Sequence, residues 1–309
     1  MEKYFRYIVP KDLIEMKIGI TKKEFAYIPE AYAYTNYLQK FGHQIQFDFE
    51  HNLDPDNDVN IYFMGVKPFW KKKQGSAREI HEYQSLSTGN YPIIKNYVKK
   101  LVNSKPNKRI FLNEVVDKGF NFQDNIPSIY RDMGVDESFF IEPSLTYEFD
   151  IVYCGSIEGR IGLVETILKL SAKYKIIVIG DVNSELQRLF KASGVSMTGR
   201  LDRKYIPQIY AKCRFGLNYT PDVYPYNIQT STKTLEYLAT GLTVISNKYH
   251  WIEKFSQLNS IRINWLGELM EELEFDSNEK RNNMEIMMKY EWSNILNGIG
   301  FIKFIESYE

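Results

Sequence analysis

Short blocks of consecutive apolar residues alternate along this chain with stretches in which apolar positions recur every three or four residues, the pattern of strands and helices in succession. Residues 16–20 read as a first strand, 28–41 as a helix and 44–49 as a second strand. The joint Phe41-Gly42-His43 puts a glycine where a helix can end in left-handed backbone. Residues 58–64 and 109–113 read as further buried strands, and 93–102 and 126–133 as helices. Residues 139–149, which include Pro143, have no clear period, so a joint between two domains is placed there. Later, 260–263 read as a strand, 268–273 as a helix and 283–308 as a helical tail rich in Met, Ile, Phe and Trp. This alternation predicts an α/β protein with mostly parallel sheets covered by helices.

The stretch from Tyr226 to Ser246 is the most informative. Ser231 and Thr232 are natural N-caps and Gly241 a natural C′ residue, so a helix of about ten residues is marked at both ends and feeds a buried strand. Leu235, Leu238, Ala239 and Leu242 fall on one side, while Lys233, Glu236, Tyr237 and Thr240 form a polar face left for something else. The helix N-terminus offers unpaired N–H groups and the positive end of a dipole. Thr230, Ser231, Thr232 and Lys233 add hydroxyls and a cation where a diphosphate could sit. On the helix alone the plainer reading, a well-capped surface helix with solvated Lys and Glu, is the favoured one.

With its neighbours, this stretch resembles the nucleotide-binding half of a GT-B glycosyltransferase, most like glycosyltransferase family 4 of the bacterial surface-glycan type. The resemblance runs from about Asp150 to Ser246, and its pieces keep the family's order. Asp150-Ile151-Val152-Tyr153-Cys154-Gly155-Ser156 resembles the first strand and glycine turn, and Arg160-Ile161-Gly162 the basic step after it. Ile176-Ile177-Val178-Ile179-Gly180-Asp181 and Val195-Ser196-Met197-Thr198-Gly199-Arg200-Leu201 resemble the second and third strands with their turns. Leu235-Glu236-Tyr237-Leu238-Ala239-Thr240-Gly241 resembles the donor-site helix. The resemblance implies two Rossmann-like domains facing a central cleft: residues 1–142 on the acceptor side, 143–290 binding the nucleotide sugar, and a helix over 291–309 crossing back to the first domain. It places Lys233 and Arg160 on phosphates and Glu236 on the ribose. Gly155 and Ser156 lie near the phosphates or acceptor, and Gly199 and Arg200 near the base. The first glutamate of the family's Glu-x7-Glu pair, eight residues before Glu236, falls on Ile228, so Asn227 and Gln229 are the candidates for sugar hydroxyls.

At 309 residues, 44% of them apolar, the chain is long enough to bury two cores. Its formal charge of zero argues against a nucleic-acid partner held by a basic surface. Cys154 and Cys213 lie in predicted strand and helix segments without CxxC spacing, which reads as reduced core thiols in a cytosolic protein with neither disulfide nor metal role. No apolar run approaches the ~20 residues of a membrane span, and residues 1–7 do not read as a signal peptide. The expected location is the cytoplasm, peripheral on the inner face of the membrane if the acceptor is lipid-linked.

Transfer from a nucleotide sugar needs stabilisation of a diphosphate leaving group, which Lys233, Arg160 and helix-end N–H groups supply without a cofactor or metal. An inverting transferase also needs a general base in the acceptor half, and the sequence does not choose between outcomes. Glu114, at the carboxyl end of the 109–113 strand, is the candidate, with Glu30, His81 and Glu82 behind it; the plainer reading of each is a solvated glutamate or a hydrogen-bonded histidine. Lys67, Phe69, Trp70, Lys71, Lys72 and Lys73 combine lysines with large aromatics in a predicted loop. That mixture suits an anionic membrane surface and equally a solvated loop. The expected activity is transfer of a sugar from a nucleotide-diphosphate donor to a hydroxyl of a glycan or lipid-linked acceptor, in capsule, O-antigen or other surface polysaccharide synthesis. The alternatives are a nucleotide-sugar epimerase or hydrolase, and a non-catalytic nucleotide-sugar-binding or membrane-scaffold protein.

Overall fold

The structure, a computed structural model, describes residues 14–24, 27–142, 144, 146–267 and 273–307. The reading of residues 1–7, the place of Pro143 in the domain joint and nearly all of the helix expected over 268–273 lie outside the described residues.

The chain forms two compact units, the first taking in residues up to Asp132 together with those from Ser293 onward, the second running from Met133 to Trp292. The division falls after 132 and not after 142, because Val135 and Phe139 are fully buried in the second unit's core.

The first unit runs β1 (Lys17–Thr21), α1 (Pro29–Lys40), β2 (Gln44–Asp48), β3 (Val59–Phe63), β4 (Arg78–Tyr83), α2 (Pro92–Val102), β5 (Lys108–Phe111), α3 (Glu114–Phe120) and β6 (Ser128–Tyr130). These strands make one parallel sheet in the order β2-β1-β3-β4-β5-β6. Pro29 opens α1 at its first turn, where a missing N–H costs nothing. His43 is buried and accepts at Nδ1 from the Met16 N–H at 3.3 Å, tying the end of α1 to the start of β1.

The segment 126–133, expected to be helical, contains strand β6 instead, and β4 was not anticipated as a strand. β4 reads Arg-Glu-Ile-His-Glu-Tyr, yet it lies inside the sheet between β3 and β5 with Glu79, His81 and Glu82 buried. Burial of Glu82 is tolerated because Arg131, itself fully buried just after β6, donates to its carboxylate and to Glu30 Oε1 at 3.0 Å. Glu30 and Glu82 are therefore internal partners of Arg131 and not surface carboxylates. His81 stands 3.5 Å from Glu79 in the same interior, and burial lowers its pKa.

The second unit runs β7 (Phe149–Cys154), α4 (Leu163–Ser171), β8 (Ile176–Ile179), α5 (Ser184–Ala192), β9 (Ser196–Met197), α6 (Ile206–Tyr210), β10 (Cys213–Asn218), α7 (Thr232–Ala239), β11 (Thr243–Ser246), α8 (His250–Asn259), β12 (Ile263–Trp265) and α9 (Ser277–Met287). Its sheet is parallel in the order β12-β11-β10-β7-β8-β9. Read from β9, this is the 3-2-1-4-5-6 order of a Rossmann sheet, whose switch point lies between β7 and β10. Alternate residues feed opposite faces: Ile151 and Tyr153 pack with Leu163 and Ile167 of α4, while Val152 packs with Leu235 and Leu238 of α7. Cys213 opens strand β10 instead of lying in a helix, and both cysteines are free. The strand expected over 260–263 begins only at Ile263.

The tail is broken where one helical stretch was expected. α9 is followed by α10 (Trp292–Gly298) and α11 (Phe301–Glu306), with Gly300 in left-handed backbone between the last two. Phe301, Ile302 and Ile305 are buried, and Lys108 Nζ donates to the carbonyls of Phe304 at 2.8 Å and Ser307 at 2.7 Å. These bonds satisfy helix-end carbonyls with a buried cation.

Candidate functional site

The switch point opens a cavity of about 390 Å³ at the carboxyl ends of β7 and β10, where their connections diverge to opposite sides of the sheet. Ser156 and Arg160 come from the turn after β7, Asn218 and Thr220 from the end of β10, and Gln229 through Lys233 from the approach to α7.

α7 starts where its sequence says it should. Ser231 Oγ accepts from the Thr234 N–H at 3.3 Å, and Gly241 takes φ +79° just past the last turn. The Ser231 hydroxyl also donates to Asn218 Oδ1 at 3.0 Å, while Asn218 Nδ2 donates to Ser246 Oγ and Tyr249 Oη, each at 3.0 Å. A buried asparagine at the end of β10 thus holds the helix N-terminus in place. The rest of α7 differs from the expected amphipathic helix: Tyr237 and Thr240 are fully buried, as are the apolar residues. Tyr237 Oη accepts from the Cys154 N–H at 3.1 Å, and the Thr240 hydroxyl bonds the Phe139 carbonyl at 3.1 Å. The polar face is therefore a set of internal anchors, and only its first turn meets the cavity.

Lys233 lies over Gly155, which explains the glycine. Gly155 adopts φ +131°, and a Cβ there would fall 2.7 Å from Lys233 Cε. The ammonium stands 5.2 Å from the centre of the Tyr153 ring. Burial, with Arg160 nearby, lowers the Lys233 pKa to about 8. Arg160 Nη1 donates to the Tyr219 carbonyl at 2.7 Å. Among the described residues neither cation forms an ion pair. The acid in the wall, Glu158, accepts from Asn183 Nδ2 at 3.0 Å. Two cations, hydroxyls and the first turn of a capped helix make an anion site at low local dielectric.

A second cavity of about 480 Å³ shares Ser156 and Glu158 with the first and is completed by Gly155, Gly180, Asp181 and Arg200. Gly180 donates its N–H to the Gly199 carbonyl at 3.0 Å, which ties the wall glycine after β8 to the turn after β9, while Gly199 itself lies outside the lining.

Of the residues singled out from sequence, Ser156, Arg160, Gln229, Thr230, Ser231, Thr232 and Lys233 line the first cavity, and Gly155 and Arg200 the second. Asn227 turns aside, its Nδ2 donating to Asp222 Oδ1 at 2.9 Å. Glu236 is buried behind Lys233 and ion-paired with Arg203, whose guanidinium lies 4.9 Å from the Phe139 ring centre. Burial raises the Glu236 pKa against the opposing pull of Arg203. Glu114 belongs to the first unit, exposed at the start of α3 and 2.8 Å from Lys118, which holds its carboxyl below the usual range, the wrong direction for a base at neutral pH. Lys67 does not join the exposed lysines, because it reaches Glu79 at 3.4 Å and lies 3.7 Å from the Tyr62 ring centre. Sequence reading missed Asn218 and Arg203. The alternation of β10 could have flagged Asn218 as a polar strand end, but nothing local marks Arg203.

Three solved structures align over nearly the whole chain. Anabaena HepE in complex with UDP and glucose is 10% identical, with a TM-score of 0.63 over 93% of this chain and 99% of that one. The chain has the GT-B fold. AviGT4, a glycosyltransferase involved in avilamycin A biosynthesis, is 10% identical with a TM-score of 0.56, covering 94% of this chain and 98% of its own. WaaG, a glycosyltransferase involved in lipopolysaccharide biosynthesis, is 10% identical with a TM-score of 0.53, covering 94% and 100%. No protein-family model and no curated protein matches the sequence. Within this GT-B chain the cavities described lie wholly in the second unit. Among the described residues no helix is long and apolar enough to cross a membrane.

Proposed function

We propose that this chain is a glycosyltransferase that takes a sugar from a nucleoside-diphosphate donor bound to the second unit and passes it to a hydroxyl acceptor. The observation that carries this reading is the pair of cations without carboxylate partners among the described residues, Lys233 and Arg160, at the switch-point cavity beside the N-terminus of α7. In the reaction the bond from the sugar's anomeric carbon to the diphosphate oxygen breaks, an acceptor oxygen bonds that carbon, and the hydroxyl proton leaves to solvent or a base. Negative charge grows on the departing diphosphate. Lys233, Arg160 and the first turn of α7 line the cavity proposed to hold it, and in this reading they stabilise the leaving group with little reorganisation. Glu236 lines neither cavity and stays paired with Arg203 behind Lys233, where it backs the first turn of α7. Gln229 at the cavity wall takes the sugar, and Arg200 beside the second cavity takes the base.

The solved structures similar to this chain include one bound to UDP and glucose and one involved in lipopolysaccharide synthesis. They support a nucleotide-sugar donor and, with less detail, a surface-glycan acceptor. The test is release of nucleoside diphosphate from a panel of nucleotide sugars, with and without bacterial glycan and glycolipid extracts. Acceptor-dependent release supports transfer. Equal release without acceptor means a hydrolase, and binding without release means a catalytically silent protein.

A further inference from the structure

The first unit carries an amphipathic helix turned inside out. On α2 only Asn96 is buried, its Oδ1 accepting from the Ser87 N–H at 2.8 Å. The apolar stripe Ile93, Ile94, Tyr97, Val98 and Leu101 faces solvent, with Ile93 80% exposed. Helices of water-facing surfaces place such stripes inward, so an outward stripe marks a contact with something apolar.

The loop after β3 extends the same surface. The Phe69 N–H donates to the Val102 carbonyl at 2.9 Å and the Ser104 N–H to the Lys67 carbonyl at 2.8 Å, which binds this loop along the end of α2. Phe69 and Trp70 stand 64% and 62% exposed, their rings 5.1 Å apart, and Phe69 shares a surface hollow with Leu101. Val66 lines a second hollow with Ile94 and Val98. Residues 66–73 and 91–105 contain lysines and no Asp or Glu, and Asp124, in the hollow of Phe69 and Leu101, is paired with Arg109 at 2.6 Å. Lys71, Lys72, Lys73, Lys95 and Lys105 are exposed around the apolar centre.

We propose that α2 and the 66–73 loop form one docking surface for an anionic lipid bilayer, with the apolar stripe and Trp70 entering the headgroup boundary and the lysines resting on acidic headgroups. An apolar centre edged mainly by lysines fits that occupant. A second copy of the same face would set lysine against lysine. The surface lies in the first unit and its argument is independent of the donor site.

The test is co-sedimentation of the full chain with vesicles of phosphatidylcholine alone or mixed with phosphatidylglycerol, beside sedimentation velocity without lipid. Binding to the mixed vesicles that weakens with salt is expected. Lys71→Ala/Lys72→Ala/Lys73→Ala should weaken it by roughly tenfold or more. Ile93→Ser/Tyr97→Ser/Leu101→Ser should abolish it, with unchanged far-ultraviolet circular dichroism because these side chains are exposed. Equal binding to both vesicle types, no binding to either, retention by both variants, or a dimer that the serine variant dissociates would each overturn the proposal. Nucleotide binding measured alongside keeps a failure of this surface distinct from a failure of the donor site.

Discussion

Replacing Lys233 by methionine should strengthen the ligand-free protein and cripple its response to nucleotide. The lysine is held in a wall of the second unit with Arg160 nearby and no carboxylate partner among the described residues, and its pKa falls from 10.5 to about 8. At about 1.36 kcal/mol per pH unit, that difference costs the folded state up to roughly 3 kcal/mol at neutral pH. Partial solvent access brings the expected gain on Lys233→Met to about 1–2 kcal/mol. A diphosphate in the cavity offsets the cost of holding the lysine charged there, so most of the same energy reappears as affinity in the wild type. A loss of about 2 kcal/mol is close to thirtyfold in dissociation constant.

The assay is thermal and denaturant unfolding of both proteins with and without nucleoside diphosphates. At a concentration near 100 times its dissociation constant a ligand adds about 2.7 kcal/mol to the wild type, and at the same concentration it should add about 1 kcal/mol or less to Lys233→Met. The pH dependence has a definite sign. Between about 8 and the unfolded value near 10.4 the unfolded chain binds more protons at this lysine, so ligand-free stability of the wild type rises with pH across that window. Nucleotide affinity should fall as pH climbs through 8, and Lys233→Met should lack both effects. A variant that is less stable without ligand and keeps the full nucleotide shift would refute the assignment of this cavity to phosphate.

Ser231→Ala removes a cap of α7 and the bond to Asn218, and should cost about 1–2 kcal/mol in denaturant unfolding while weakening nucleotide binding, since the first turn frays. Gly155→Ala forces a Cβ against Lys233 Cε in left-handed backbone; a stability loss of about 1–3 kcal/mol with reduced nucleotide affinity is expected by the same measurements. Arg131→Met leaves Glu30 and Glu82 buried without their cation and should cost about 3–5 kcal/mol by urea unfolding. Burial raises the Glu82 pKa to about 7, so folded protein binds more protons than unfolded between about 4.3 and 7; stability conferred by protonated Glu82 should decline over that window as pH rises, and Glu82→Gln should flatten the decline.

The parts of the fold that the sequence displays are those whose local chemistry and tertiary place agree. The ends of α7 are written as Ser231 and Gly241, and the structure uses both. β3 is a run of five buried residues, and its inner position needs such a run. β6 failed because Ile126, Ile129, Tyr130 and Met133 recur at helical spacing while the chain there follows β5 in parallel register. Three residues paired to a neighbour that begins at Lys108 leave no periodic trace.

β4 shows the stronger limit. A central strand carrying two glutamates, a histidine and an arginine contradicts every hydropathy rule, and it becomes stable only when Arg131, far along the chain, arrives to neutralise Glu82. Glu236 and Arg203 repeat that relation in the second unit. In both cases the carboxylate is visible in sequence as a candidate for chemistry and its partner is not, because the pairing is made by sheet order. The switch-point cavity obeys the same logic. Its arginine comes from the connection after β7, its asparagine from the end of β10 and its lysine from the helix that follows, and the reversal of strand order between β7 and β10 brings them to one opening. Topology, and not any single motif, is what turns the capped helix from a surface feature into an anion site.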